Sequence, residues 1–425
     1  MHQQRPLTVS LKHLPRRIST ARPRQRPCRG STVTGSLSTR LVSTTTTSSS
    51  SRKQHSLPAA YYRGGTSRAI FFRQDDLPQN RDEWTSPFLG VIGSPDRANG
   101  RQLDGMGGGI SSLSKICVVG PSLHSDADVD YTFVSLGVRD AHVDYSSNCG
   151  NMSAAVGPFA VDSGMVQTPK AGFERESESE SDFTVRIHNT NTGKIIHATF
   201  PVTADGEAVA QGDFAIDGVS GTAAPVRLDF IRPAGSRTGK LLPTGNVTDV
   251  FAGGVRATCV DVANPCCFVL AADLGVEGDI TPHEIEDHPS LMDTLDKIRR
   301  QVGVGMGLAA TVEEVPGSVP KIAIVSPYAD GKSGASIVAR AMSVGQPHKA
   351  IPVIVALALA AASQLPGSVV SECMSGEPAR DAGLVIHHAS GTLHVDAKYN
   401  VEGELEKATV FRTARRLMEG RVFWK

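Results

Sequence analysis

The stretch Ala350-Ile-Pro-Val-Ile-Val-Ala-Leu-Ala-Leu-Ala-Ala-Ala362 is apolar on every side of a helical wheel. A helix without a polar face has to be buried all round. Read from Pro347 to about Leu365, it is too short and too rich in alanine to cross a bilayer, which takes about 20 apolar residues. Other elements must therefore wrap it. A second segment, Asn148 to Val161, makes the same demand. Short strands flank both, so the simplest architecture is α+β: two similar halves, each a curled β-sheet or barrel round one central hydrophobic helix. A ligand site is expected in the cleft between the halves, where the helix N-termini face each other.

The strands are read from alternation and turn residues. Ala59 to Phe72 reads as a hairpin turning at Arg63-Gly-Gly-Thr-Ser67, and Ile116–Val119, Val129–Leu136 and Ala141–Tyr145 are further strands. Phe183–His188 pairs with Ile195–Phe200 through Asn-Thr-Asn-Thr-Gly193, behind a solvated charge run from Glu174 to Asp182. Amphipathic outer helices are expected at Pro282–Val302 and Lys407–Glu419. The expected divisions are residues 57–232 for the first half, 233–400 for the second, and 401–425 for a C-terminal helix and strand packing back on the first half.

Residues 1–56 are different material. They contain no acidic residue, are rich in Arg, Ser and Thr, and include a basic amphipathic stretch from Leu7 to Ala21. This is the composition of a mitochondrial transit segment; the alternative is a disordered basic tail on a cytoplasmic protein. Without a signal-peptide apolar run, the sequons at Asn151 and Asn246 are expected to stay unmodified.

Lys+Arg and Asp+Glu balance at 43 each, so no broad basic field exists to collect nucleic acid, and no membrane association is expected. The seven cysteines are odd in number and scattered, which suits free thiols in a reducing compartment. No Cys and His stand at zinc spacing, so no metal is expected.

Two motifs carry titratable groups among glycines: Asp104-Gly-Met-Gly-Gly-Gly-Ile-Ser-Ser-Leu-Ser-Lys115 and Ser146-Ser-Asn-Cys149-Gly-Asn151. Glycine lets backbone N–H groups approach an anion. Cys149 falls at the start of a buried helix, with Asn148 a good N-cap, and the helix dipole there favours an anionic thiolate or substrate carboxylate. Lys115 precedes a buried strand, and drawing an ammonium out of water favours its neutral, basic form. The plain alternatives are a tight turn, a small apolar filler and a snorkelling edge lysine. A dinucleotide fingerprint fails on spacing, because Ile110 occupies the third glycine position.

Arg63-Gly-Gly-Thr-Ser67, Gly105-Met-Gly-Gly-Gly109 with Ser114-Lys115, Asn148-Cys-Gly-Asn151, Gly239-Lys-Leu-Leu-Pro-Thr-Gly-Asn246, Ala263-Asn-Pro265, Met342-Ser-Val-Gly345 with His348, and Ser390-Gly-Thr392 together resemble the PrpF family of 2-methylaconitate isomerases, from about Tyr61 to Lys425. The resemblance implies the diaminopimelate epimerase-like fold and cofactor-independent isomerisation of aconitate-like unsaturated di- or tricarboxylates, such as 2-methylaconitate or cis/trans-aconitate. It implies Lys115 and Cys149 as the catalytic pair. Within the same motifs, the expected substrate-binding residues are Arg63, Gly64, Gly65, Thr66, Ser67, Gly107, Gly108, Gly109, Ser114, Asn148, Gly150, Asn151, His348, Ser390 and Gly391.

The expected chemistry is an allylic proton shift with Lys115 as base. Amides at Gly107–Gly109 and Asn148–Asn151 would stabilise the dienolate, and Arg63, Arg68 and His348 would take the remaining carboxylates. Alternatives are a 4-oxalomesaconate tautomerase, an alkylitaconate delta-isomerase, or a non-catalytic anion-binding module. Gly345-Gln-Pro-His348 stands where amino-acid epimerases of this fold carry a second thiol, which argues against a two-thiol epimerase. The expected partner is a small polycarboxylate substrate; oligomeric state, a homodimer included, stays open.

Overall fold

Strand-forming residues dominate from His55 onward. The computed structural model, which describes residues 53–168, 181–328, 335–374 and 383–425, joins most of the strands in one continuous sheet. The first lobe contains β1 (His55–Gly64), β2 (Ser67–Arg73), α1 (Thr85–Ile92), β3 (Lys115–Pro121), β4 (Val129–Leu136), β5 (Val143–Asp144), α2 (Gly150–Asp162), β6 (Ser181–Asn189), β7 (Lys194–Val202), β8 (Phe214–Ala215), β9 (Thr222–Ala223) and β10 (Pro225–Ile231). The second contains β11 (Asp249–Val250), β12 (Arg256–Val262), β13 (Asn264–Leu270), α3 (Ala271–Leu274), α4 (Pro282–Asp287), α5 (Leu291–Gly305), β14 (Lys321–Pro327), β15 (Ser336–Ser343), β16 (Gln346–Pro347), α6 (Val353–Ser363), α7 (Val369–Glu372), β17 (Leu384–His388) and β18 (Gly391–Tyr399). β19 (Leu405–Trp424) belongs to both.

In the first lobe β1, β2, β3, β4, β6, β7, β10 and β19 pair in that order, and β19 returns to β1, closing a barrel. The second lobe repeats the plan through β12, β13, β14, β15, β17, β18 and β19. Even the parallel neighbours correspond: β2 with β3 matches β13 with β14, and β4 with β6 matches β15 with β17. Among the described residues no pairing joins β19 to β12, so the second sheet curls without closing.

The two apolar helices fill these sheets as expected. Every residue of α2 from Gly150 to Val161, and of α6 from Val353 to Ala362, is buried. At roughly 1.5–3 kcal/mol for each fully buried large aliphatic side chain, Val353, Ile354, Val355, Leu357 and Leu359 make α6 a principal support of its lobe. The helix N-termini meet at the lobe boundary, where a Cβ added to Gly150 would lie 2.6 Å from Cγ1 of Val353. Only glycine permits that approach.

Several boundaries differ from those read in the sequence. The helices begin at Gly150 and Val353, not at Asn148 and Pro347, and Cys149 takes the N-cap position expected of Asn148. Pro352 caps α6 in extended geometry, while Pro347 lies in β16. The single helix expected at Pro282–Val302 is two, α4 and α5. Pro289 drives His288 into the extended region and breaks the run.

The helix expected at Lys407–Glu419 is a strand. Ala408, Val410 and Arg412 turn inward at period two while the segment pairs with β18 and β10, and then with β1. Its three partner strands outweigh the helical spacing of its charges. The first strand starts two residues earlier than Leu57, with β1 at His55. Of the transit-like segment 1–56, residues 1–52 lie outside the described residues, as does the charge run up to Glu180.

Candidate active site

Lys115 and Cys149 line one cavity of about 450 Å³ between the lobes. Lys115 opens β3, where period-two alternation sends its side chain into the cavity and buries Ser114 on the other face. Only 7% of Lys115 is exposed. Its Nζ donates to the carbonyl oxygen of Ser111 at 2.6 Å and stands 5.7 Å from the Phe133 ring centroid. Cys149, at the N-cap of α2, has a half-buried side chain that makes no capping hydrogen bond. The first-turn amides of α2, like those of α6, have no intrahelical partners, and Gly150, Asn151, Val353 and Ile354 all border the cavity. Two helix N-termini thus face one space, an arrangement that favours an anion.

Of the remaining residues read from the sequence, Thr66, Ser67, Asn148, Gly150, Asn151, His348 and Ser390 also line the cavity. The Asn151 side chain fixes the β1–β2 turn, with Nδ2 donating to Thr66 Oγ1 at 3.2 Å and Oδ1 accepting from Thr66 N at 3.4 Å. Gly65, at φ 50°, packs so closely on this side chain that a Cβ would collide with it. Asn148 is held from the second lobe, donating its backbone N–H to Asn264 Oδ1 at 3.0 Å while its carbonyl accepts from Asn264 Nδ2 at 2.9 Å. Its own Oδ1 is buried without a hydrogen-bond partner among the described residues. Such an atom calls for water or a ligand.

The other expected contacts do not reach the cavity lining. The Arg63 guanidinium donates to Gly65 O, Thr413 O and Thr413 Oγ1, tying the turn to β19. Arg68 lies over the Tyr61 ring. Gly64 packs under the start of α2, and Gly391 packs against Asp217. The glycine-rich loop is also turned inward on the protein. Gly107 N donates to Ile92 O at 3.1 Å, Gly109 N donates to Gln102 Oε1 at 2.8 Å, and Ser114 Oγ donates to the same Oε1 at 2.7 Å. The amides of Gly107 and Gly109 are therefore committed, and Gly108 lies against Leu113. This loop shapes the Ser111–Leu113 turn that receives Lys115, instead of cradling charge itself.

Lys321 was not among the residues singled out from the sequence. It opens β14 as Lys115 opens β3, is 8% exposed, and lines the same cavity. Its Nζ donates to Ser318 O at 3.0 Å and to Ser343 Oγ at 3.1 Å. Burial holds its ammonium below the ordinary lysine range, helped by the charge of Lys115 and partly offset by Cys266 and Cys149. An internal repeat signals it in the sequence: Lys115-Ile-Cys-Val-Val-Gly-Pro121 and Lys321-Ile-Ala-Ile-Val-Ser-Pro327 share Lys-Ile-x-x-Val-x-Pro.

His348 crosses from the second lobe to bring Nε2 within 3.4 Å of Ser111 Oγ. Burial, with both lysines nearby, lowers its imidazole to about 3, so it is neutral at physiological pH. Lys349 also borders the cavity, against one carboxylate, Glu286. The lining is thus cationic and rich in hydroxyls, suited to a small polyanion.

The chain is 40% identical over 383 residues to 3-methylitaconate isomerase of Eubacterium barkeri, covering 86% of this chain and 97% of that protein. It is 37% identical over 393 residues to 2-methyl-aconitate isomerase of Shewanella oneidensis, covering 85% and 95%. The crystal structure of methylitaconate-delta-isomerase superposes with a TM-score of 0.69 at 38% identity, covering 87% of this chain and 96% of that one. The two-lobed architecture is the diaminopimelate epimerase-like fold. With the family model described as PrpF protein matching residues 54–425, the chain belongs to the PrpF family.

Proposed function

We propose that the protein is a cofactor-independent isomerase of a small unsaturated di- or tricarboxylate, moving its double bond by an allylic proton shift with Lys115 as base. The observation that carries this reading is the convergence of Lys115, Cys149 and two helix N-termini on one cavity. Relatives named as isomerases of methylitaconate and 2-methylaconitate support the same reaction class.

Lys115 in its neutral form takes a proton from the carbon beside the double bond. The electron pair moves into the adjacent carboxylate, giving a dienolate, and a proton adds at the far end of the allyl unit. Stabilisation of the dienolate falls to the first-turn amides of α2 and α6, at about 3 kcal/mol for a well-aimed donor. Asn148 supplies a further polar group, and Cys149 orients the substrate.

Cys149 also supports a second reading, because its uncapped thiol faces the same space. Thiolate addition to the double bond, rotation and elimination would exchange cis and trans forms without moving a carbon-bound proton. Proton NMR in heavy water, with methylitaconate, 2-methylaconitate, trans-aconitate and 4-oxalomesaconate as substrates, tests both. Deuterium at carbon in the product is the expected result; isomerisation without label selects the thiol route, and no turnover of any acid rejects the proposal.

A further inference from the structure

We propose that Lys321 is the second acid–base group of the same reaction, returning a proton to one end of the allyl unit while Lys115 takes a proton from the other. This rests on the proton-shift reading above. The two lysines occupy equivalent positions in the repeated lobes, each the first residue of a central strand entered through Lys-Ile-x-x-Val-x-Pro. Each Nζ donates to a carbonyl just upstream, Ser111 O or Ser318 O, and each strand faces a serine on the next. Lys115 pairs in register with Ser135, and Lys321 donates to Ser343. Since β3 belongs to one lobe and β14 to the other, the amines enter the cavity from both sides of the cleft.

Among the described residues no carboxylate neutralises Lys321 at hydrogen-bond distance; its Nζ donates to a carbonyl and a hydroxyl. A structural lysine buried to this degree is ordinarily paired with an acid. Here the unpaired charge stands where a polyanionic substrate would sit. Like charges in a shared cavity disfavour the doubly protonated pair, and one ammonium with one amine is the state that an acid and a base acting together require; the forward direction needs the proton on Lys321 and the reverse direction needs it on Lys115.

The proton balance closes. Neutral Lys115 gains the allylic proton, the electron pair passes through the dienolate, and ammonium Lys321 gives its proton to the far carbon. The pair is left with its protonation exchanged, ready for the reverse reaction, and solvent resets it for another forward turnover.

The test uses full-length protein and whichever of the four acids above is turned over fastest. In Lys321→Met, isomerisation should fall by about 10²–10⁴-fold, while exchange of the substrate's allylic proton with heavy water continues within a few-fold of wild type. Lys115→Met should show the converse, losing that exchange but retaining exchange at the far carbon of the product. Lys321→Arg, which keeps the charge but transfers protons poorly, should bind substrate with near-normal KM and have a low kcat. Wild-type turnover within tenfold in Lys321→Met, or loss of exchange together with isomerisation in a Lys321→Met shown by circular dichroism to be folded, would overturn the second-lysine role and leave Lys115 as base intact. If Lys115→Met still isomerises, the proton-shift reading itself falls. A check needing no variant is wild-type turnover of substrate deuterated at the allylic carbon in ordinary water. No deuterium should reach the far carbon, and its appearance there would favour one lysine shuttling a single proton.

Discussion

The lobes share a strand plan and a buried helix, yet they present different chemistry to the cavity. The first is a closed barrel whose helix is capped by Cys149. The second is an open curl whose helix begins behind Pro352, with His348 and Gln346 reaching across to the Ser111 turn. The strand-opening lysine is common to both, while the helix cap differs. The cavity is thus symmetric in its strand-opening lysines and asymmetric in the groups at the two helix starts.

The sharpest way to break this comparison is Lys115→Ala, which should lower turnover by about 10²–10⁴-fold in the NMR assay, with folding unchanged by circular dichroism. A loss below tenfold would mean that the first lobe does not supply the base. Next in size, Leu357→Ala in α6 should cost about 2–5 kcal/mol in urea unfolding. Val156→Ala in α2, which removes less side chain, should cost less, and the reverse order would show that the closed barrel depends more on its helix than the open one. Gly150→Val, at the meeting of the helices, should destabilise by about 1–3 kcal/mol through overpacking. Trimming the opposing side chain, as Val353→Ala, should restore part of that loss, and strict additivity would disprove contact across the boundary.

A further expected effect concerns pH. His348 is lowered to about 3 by burial and by Lys115 and Lys321, against about 6.5 for an unfolded histidine. The unfolded chain therefore binds more protons between those values, so stability is fully present above about 6.5 and declines as pH falls toward 3. His348→Gln should lose less stability than wild type between pH 7 and pH 4.5. Equal losses in urea titrations would show that the imidazole is already charged in the folded protein.

Elements set by uniform local patterns were legible in the sequence. The two helices apolar on all sides are present with later starts than the pattern suggested, the alternating hairpins are present, and the glycine-flanked Lys115 and Cys149 line one cavity. What failed to show depended on long-range partners. Lys407–Glu419 has charges at helical spacing and becomes a strand only because three distant strands pair with it. The amides of Gly107 and Gly109 looked free for a ligand until Ile92 and Gln102 took them. Lys321 stands in no glycine motif, and its significance emerges from comparing the two lobes.

β19 has a consequence for biosynthesis. Its first residues pair with β18, its middle with β10 and its later ones with β1, so neither lobe can be completed before this strand is available. The N-terminal half cannot mature on the ribosome while the rest is being made. Its barrel must wait, with one seam unzipped, until β19 has left the exit tunnel, which prolongs the exposure of its nascent form to chaperones.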